Sequence, residues 1–317
     1  MKTPLISGIH HITAIASDPQ RNLDFYVQFL GMRLVKRTVN FDDPGTYHFY
    51  YGDRSGRPGT ILTFFPWPGA ARGKHGTGQV TVTSFAVPQG SLEYWAERAK
   101  QFGFEAESLE PRFGERVLRV LDTDGLAIEL IDSAPASSDT GIQIIGSATL
   151  AEANPARTPE LLTGTLGFRE VAREGDRIRL EAGEGGPGSI VDVTADPAAK
   201  RGLGGAGTVH HIAFRTPDDE HQLRWSEILM REGRQVSPVM DRNYFHSIYF
   251  REPGGILFEI ATDPPGFMID EPEESLGTAL KLPPEYESMR QRIEDTLPRI
   301  ELPHSDRELV AGIPARQ

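Results

Sequence analysis

"GIHHITAIA" spans Gly8–Ala16, and "GTVHHIAFRT" spans Gly207–Thr216. Each sets two adjacent histidines in an apolar, β-type run, and together they use four of the nine histidines in the chain. The segments behind the two runs are also alike. After Ile9–Ile15 comes a helix capped by Asp18, with Pro19 in its first turn, an apolar stripe of Leu23, Tyr26, Phe29 and Leu30, and a stop at Gly31. Three β-type runs come next, ending near Phe65. After "VHHIAFRT" come a helix over 218–232, a stop at Gly233, and the runs "QVSPVMDR", "HSIYFRE" and "ILFEIAT".

Two further segments share this plan. "VTVTSFAV" precedes a helix over 91–102 stopped at Gly103, and "IIGSATL" precedes a helix near 158–165, each with β-type runs behind. The spacing from first strand to helix-ending glycine is nearly constant: His11 to Gly31, Ser84 to Gly103, Gly146 to Gly167, His211 to Gly233. Repetition at fixed spacing among unlike residues predicts four βαβββ modules in an α+β fold. A curved sheet of four strands leaves an edge and a concave face bare, so the modules should pair into two open barrel-like cups. The expected division is an N-terminal half, 1–135, with modules at about 8–65 and 79–131. A C-terminal half, 142–262, holds modules at about 142–193 and 207–262. A tail over 263–317 carries a helix over 284–297 and is expected to fold across the mouth of a cup.

Composition narrows the chemistry. The 317 residues contain no cysteine, which excludes disulfides, thiolate metal sites and cysteine nucleophiles. A transition metal would need imidazole and carboxylate ligands. The net charge of −12 argues against nucleic acid as a partner. No apolar run of membrane-spanning or export length is evident, so a cytoplasmic protein is expected.

Strand alternation sends neighbouring side chains to opposite faces. His11, sharing parity with Thr13, and His211, sharing parity with Ala213, are assigned to the cup interior. His10 and His210 then fall with the larger apolar residues between sheet and helix. In "GGILFEIAT", Glu259 lies between Phe258 and Ile260. A carboxylate there is costly unless paired or coordinated. Two imidazoles and one carboxylate can form a facial triad with open positions, the arrangement of non-haem Fe(II) oxygen chemistry. At the histidine position the second and third modules carry Ser84 and Gly146. At the glutamate position modules one to four carry Phe64, Glu129, Asp192 and Glu259. Only the first and last modules together supply the triad, so they should form one cup, and the middle two a silent one. Glu129 and Asp192 are expected to be satisfied by local donors. His48 and His246 are weak candidates near strand starts.

These residues resemble the vicinal oxygen chelate superfamily and, within it, the glyoxalase-like ring-cleaving dioxygenases of the hydroquinone type. The likeness is carried by both HH stretches, "MDRNYFHSIYFREPGGILFEIATDPPGF" and "LGTALKLPP" in the tail. It implies Fe(II), with Mn(II) as an alternative, held by His11, His211 and Glu259. It places His10, Thr13, His210, Arg242 and Tyr249 around a small aromatic diol, a hydroquinone or catechol, that is opened by O2 in extradiol fashion. A homo-oligomer is compatible with such cups. Two other readings stay open at this point. One is a metal-dependent lyase or isomerase of the glyoxalase sort, which usually brings four protein ligands. The other is a non-catalytic small-molecule binder, which usually lacks them.

Overall fold

The structure is a computed structural model, and it describes residues 5–137, 140–154 and 156–302. The first module comprises β1 (Ile9–Ala16), α1 (Pro19–Leu23), β2 (Arg33–Asn40), β3 (Asp43–Gly52) and β4 (Ile61–Pro66). The second holds β5 (Gln79–Pro88), α2 (Leu92–Gln101), β6 (Ala106–Arg112), β7 (Glu115–Leu121) and β8 (Ala127–Ala134). The third holds β9 (Ile144–Glu152), α3 (Arg157–Gly164), β10 (Arg169–Glu174), β11 (Arg177–Glu181) and β12 (Ile190–Ala195). The fourth holds β13 (Thr208–Thr216), α4 (Asp219–Arg231), β14 (Met240–Asp241), β15 (Phe245–Arg251) and β16 (Leu257–Pro265).

Local signals act as the sequence suggests. Asp18 accepts from the backbone N–H of Arg21 at 2.9 Å, capping α1. Gly31 adopts φ +68, a left-handed conformation in which glycine can close a helix without a Cβ clash. One feature is not foreseen: α1 widens into a π-helical turn over Asp24–Phe29. The helices still bury their stripes, with Tyr26, Phe29, Trp95, Leu162 and Trp225 all within one continuous core. Each such side chain contributes roughly 1.5–3 kcal/mol by leaving water.

The strands form two eight-stranded sheets. Their orders are β14-β15-β16-β13-β1-β4-β3-β2 and β10-β11-β12-β9-β5-β8-β7-β6. The first and fourth modules therefore share one sheet and the second and third share the other, confirming the α+β fold of paired cups. The cups meet along the backbone: Ile9 N–H donates to Gly188 O at 2.7 Å, and Ile145 N–H to Gly59 O at 2.8 Å. Gly207, at φ +80, passes so close to the Asp124 carbonyl that a Cβ would collide with it.

The register brings a correction. β1 and β13 run antiparallel, with Ile9 opposite Phe214, His11 opposite Ala213, Thr13 opposite His211 and Ala14 opposite Val209. His10 and His210 are thus extra residues in β-bulges. The same pairing in the other cup puts Thr81 and Gly146 in bulges. All four first strands are bulged at one equivalent place. A bulge breaks the alternation on which the assignment of His10 and His210 to the helix side rested. The bulges also shift the comparison of modules. Ala213 pairs with Glu259, Thr13 with Thr63, Ser84 with Glu129 and Thr149 with Asp192. The equivalents of His211 are therefore Val82 and Ser147, not Ser84 and Gly146, and Thr63, not Phe64, matches Glu259.

The tail departs from expectation too. It contains a 3-10 segment over Pro284–Met289 and then α5 (Arg290–Thr296), rather than one helix. It packs along β2 and β3, with Phe267 and Leu276 buried among Val35, Tyr50, Ile61 and Phe245. Lys36, fully buried, meets Asp270 at 2.6 Å and also Glu271. Tyr286 donates to Phe41 O at 2.7 Å, and Tyr47 to Pro298 O at 3.0 Å. No described tail residue lines the cavity of the first cup, so the described part of the tail braces a wall instead of covering the mouth. Residues 303–317 of the tail lie outside the described residues. Among the described residues, no helix is long and apolar enough to cross a membrane.

Candidate metal centre

His11 Nε2 and His211 Nε2 lie 3.3 Å apart. Glu259 Oε2 lies 3.5 Å from the first and 2.9 Å from the second. All three side chains are buried, at 2, 5 and 0 % exposure. Two donors about 2.1 Å from a shared ion and at right angles would be about 3 Å apart, so this triangle has the size of one face of a coordination shell. Among the described residues, these three form the group with the spacing of a metal site. Beyond the His11 and His211 imidazoles, the buried Glu259 Oε2 has no hydrogen-bond partner. Burial by itself would raise the Glu259 carboxyl, but the His11 and His211 imidazoles overcome it and hold the group well below its usual range. A donor set of two imidazoles and one carboxylate fits a divalent transition metal.

The adjacent histidines hold the inner ones. His10 Nδ1 is 2.9 Å from His11 Nδ1, and His210 Nδ1 is 2.8 Å from His211 Nδ1. With the Nδ1 side engaged, each inner ring presents Nε2 to the shared centre, the usual way an outer partner orients a ligating histidine. The bulges make these contacts by turning both members of a pair to the same side. Ser247 donates to the other Glu259 oxygen, Oε1.

The triangle opens into a cavity of about 380 Å³, within the range of small-molecule sites. Thr13, His210, Arg242 and Tyr249 line it, as do both inner histidines. His10 does not; it sits behind His11 and against Phe245, ring centres 5.0 Å apart. Arg242 Nε donates to the Tyr249 phenol oxygen at 3.2 Å. Its carboxylate neighbour is Asp42 at 3.6 Å. Burial, then the Glu259 charge, raises Tyr249 well above an ordinary phenol, so its hydroxyl keeps its proton.

Phe41, Phe65, Trp67 and Phe245 complete an aromatic wall that histidines and charges do not mark. Phe41 and Trp67 lie between strands, where no period marks them, and Phe65 and Phe245 sit at strand ends. His48 also lines the cavity. Its Nε2 is 2.8 Å from Thr63 Oγ1, which donates to Thr13 Oγ1 at 3.0 Å. His246 does not line it; it pairs with Asp219 at 2.6 Å.

In the other cup the equivalent carboxylates meet arginines. Glu129 pairs with Arg112 and with Arg119 at 2.8 Å. Asp192 pairs with Arg179 at 2.9 Å and Arg177 at 3.1 Å. These are the local donors expected for both groups.

Comparisons with known proteins agree with this fold. A family model described as the Glyoxalase/Bleomycin resistance protein/Dioxygenase superfamily matches residues 8–130 and 144–260. MhqO of Bacillus subtilis (strain 168), a provisionally named ring-cleaving dioxygenase, is 48% identical over 312 residues, covering 95% of this chain and 98% of its own. A chlorohydroquinone/hydroquinone 1,2-dioxygenase of Sphingobium indicum is 32% identical over 311 residues, covering 92% and 96%. A crystal structure of a provisionally named Bacillus subtilis dioxygenase matches with a TM-score of 0.89 at 47% identity, covering 96% of this chain and 100% of that one. Glyoxalase I from Zea mays matches with a TM-score of 0.63 at 15% identity, covering 81% and 92%, a likeness of fold alone.

Proposed function

The chain belongs to the glyoxalase, bleomycin resistance protein and dioxygenase superfamily, and from that premise we propose a metal-dependent dioxygenase that opens the ring of a hydroquinone or catechol with O2. The observation that carries this reading is the triangle of His11, His211 and Glu259, closed on the protein side and open toward an aromatic-walled cavity. Its full-length relatives named as ring-cleaving and hydroquinone dioxygenases support it.

In this reading His11, His211 and Glu259 hold Fe(II), with Mn(II) as the alternative. A divalent iron held there supplies a Lewis acid that acidifies a phenol and a redox partner for O2. A single carboxylate leaves the centre with net positive charge, which favours an ionised diol oxygen. The aromatic wall orients the ring and excludes water. Arg242 fixes the Tyr249 oxygen, leaving the phenol proton free to donate to a substrate oxygen. The Thr13 hydroxyl accepts from Thr63 and so has its own proton for the cavity. His210 contacts substrate from the rim, whereas His10 acts through His11.

The extradiol type of cleavage, cytoplasmic residence, a homo-oligomeric state and the division into two halves and a tail belong to the same proposal. The glyoxalase-type alternative is disfavoured by Thr63, a hydroxyl where a fourth ligand would stand. The deciding experiment is anaerobic reconstitution with Fe(II), followed by metal analysis and O2 uptake with substituted hydroquinones and catechols. Stoichiometric iron with diol-dependent O2 uptake is expected. Iron binding with isomerase activity and no O2 uptake from any diol would overturn the reading.

A further inference from the structure

A second pocket, of about 220 Å³, lies next to the metal cavity, and His210 and Leu257 line both. Its charged groups are Arg201 and Arg251, and no aspartate or glutamate lines it. The two guanidiniums converge on one residue. Arg251 Nη1 donates to Gly255 O at 2.7 Å. Arg201 Nη2 packs so closely on Gly255 that a Cβ there would collide with it. Among the described residues neither guanidinium has an ion-pair partner. The Glu152 carboxyl feels the Arg201 charge, yet burial first and then Glu252 push it up to about 8. Near neutral pH it keeps its proton and does not neutralise Arg201. Two like charges thus meet in a pocket of a chain whose net charge is −12. Glycines at 78, 202, 204 and 255 line it, and with no Cβ they admit a ligand close to the backbone.

We propose that the Arg201–Arg251 pocket binds carboxylates and draws the ring-opened product out of the metal cavity past His210 and Leu257. The role in release rests on the ring-cleaving reading; the anion site does not. A dihydroxybenzene is neutral in solution, whereas the ring-opened compound that contains both atoms of O2 bears a carboxylic acid, ionised near neutral pH. Paired guanidiniums suit that group, because each offers forked N–H donors. The charge that marks product from substrate is therefore matched by the pocket beyond the cavity.

The test uses cis,cis-muconate, a six-carbon dicarboxylate, titrated calorimetrically into the iron-loaded full-length protein. The Arg201→Gln/Arg251→Gln double variant should bind it about tenfold or more weakly, and Arg251→Lys in a wild-type background should lose less. Equal binding by wild type and double variant would overturn the anion site. In kinetics, the double variant should open a single equivalent of diol at the wild-type rate but show a lower kcat. An equal loss in the single turnover would overturn the role in release. Arginine-dependent muconate binding without O2 uptake from any diol would sink the ring-cleaving reading and the release role while leaving the anion site standing.

Discussion

Thr63 on β4 occupies the register position that Glu259 occupies on β16. Thr63 pairs with Thr13, two residues beyond His11, and Glu259 pairs with Ala213, two residues beyond His211. The cup is thus symmetric in its histidines and asymmetric in its acids, and the hydroxyl side is the side left for other molecules. Thr63→Glu should retain or tighten metal and lose ring cleavage by more than about tenfold, because a fourth ligand would fill an open position. Metal analysis and O2 uptake check this, with a melting curve to confirm folding. Full activity in Thr63→Glu would show that the open face lies elsewhere.

His10 and His210 make the same contact with their inner neighbours, but only His210 reaches the cavity. Alanine at either position should cost roughly 10–100-fold in metal affinity or activity. His10→Ala should act chiefly on metal affinity, and His210→Ala should also raise the KM for the diol. Metal titration and steady-state kinetics separate the two. Unchanged affinity in His10→Ala would reduce its role to packing.

Tyr249→Phe removes a hydroxyl that accepts from Arg242. It should keep iron and slow turnover by about a hundredfold, the scale of a positioned proton donor. If iron is lost with the hydroxyl, Tyr249 supports the centre instead of the substrate.

Lys36 compensates two carboxylates at the root of the tail. Lys36→Met leaves Asp270 and Glu271 facing each other without their cation, a loss of about 3–5 kcal/mol for a buried pair broken on one side. Reduced denaturant stability and faster proteolysis between Asp263 and Leu302 should result. A melting curve matching wild type would mean that the tail is held by its apolar contacts alone.

Glu152 titrates in the folded state near 8, well above the ordinary carboxylate value, through burial and Glu252. The folded state therefore holds a proton that the unfolded chain has released, and stability falls as pH rises from the usual carboxylate range through about 8. Glu152→Gln keeps a hydrogen-bonding group but cannot ionise. Its melting temperature should fall less than that of wild type between about pH 6 and pH 9. Parallel curves would place the proton elsewhere.

Local chemistry alone discloses the modules of this chain. Asp18 before Pro19 starts a helix, Gly31, Gly103, Gly167 and Gly233 end one, and these effects act over a few residues wherever the segment lies. The pairing of first with last module was legible because only His11, His211 and Glu259 complete a ligand set. Tertiary structure alone decided where neighbouring side chains point and which residues are equivalent. The bulges at His10 and His210 exist only when β1 and β13 lie side by side, for a bulge is a mismatch between two strands and belongs to neither. Alternation along one strand therefore misplaced His210 and shifted the match of Thr63 to Glu259 by one residue. The aromatic wall, the bracing tail and the Arg201–Arg251 pocket likewise arise from segments far apart in the chain, brought together by burial that no local pattern encodes.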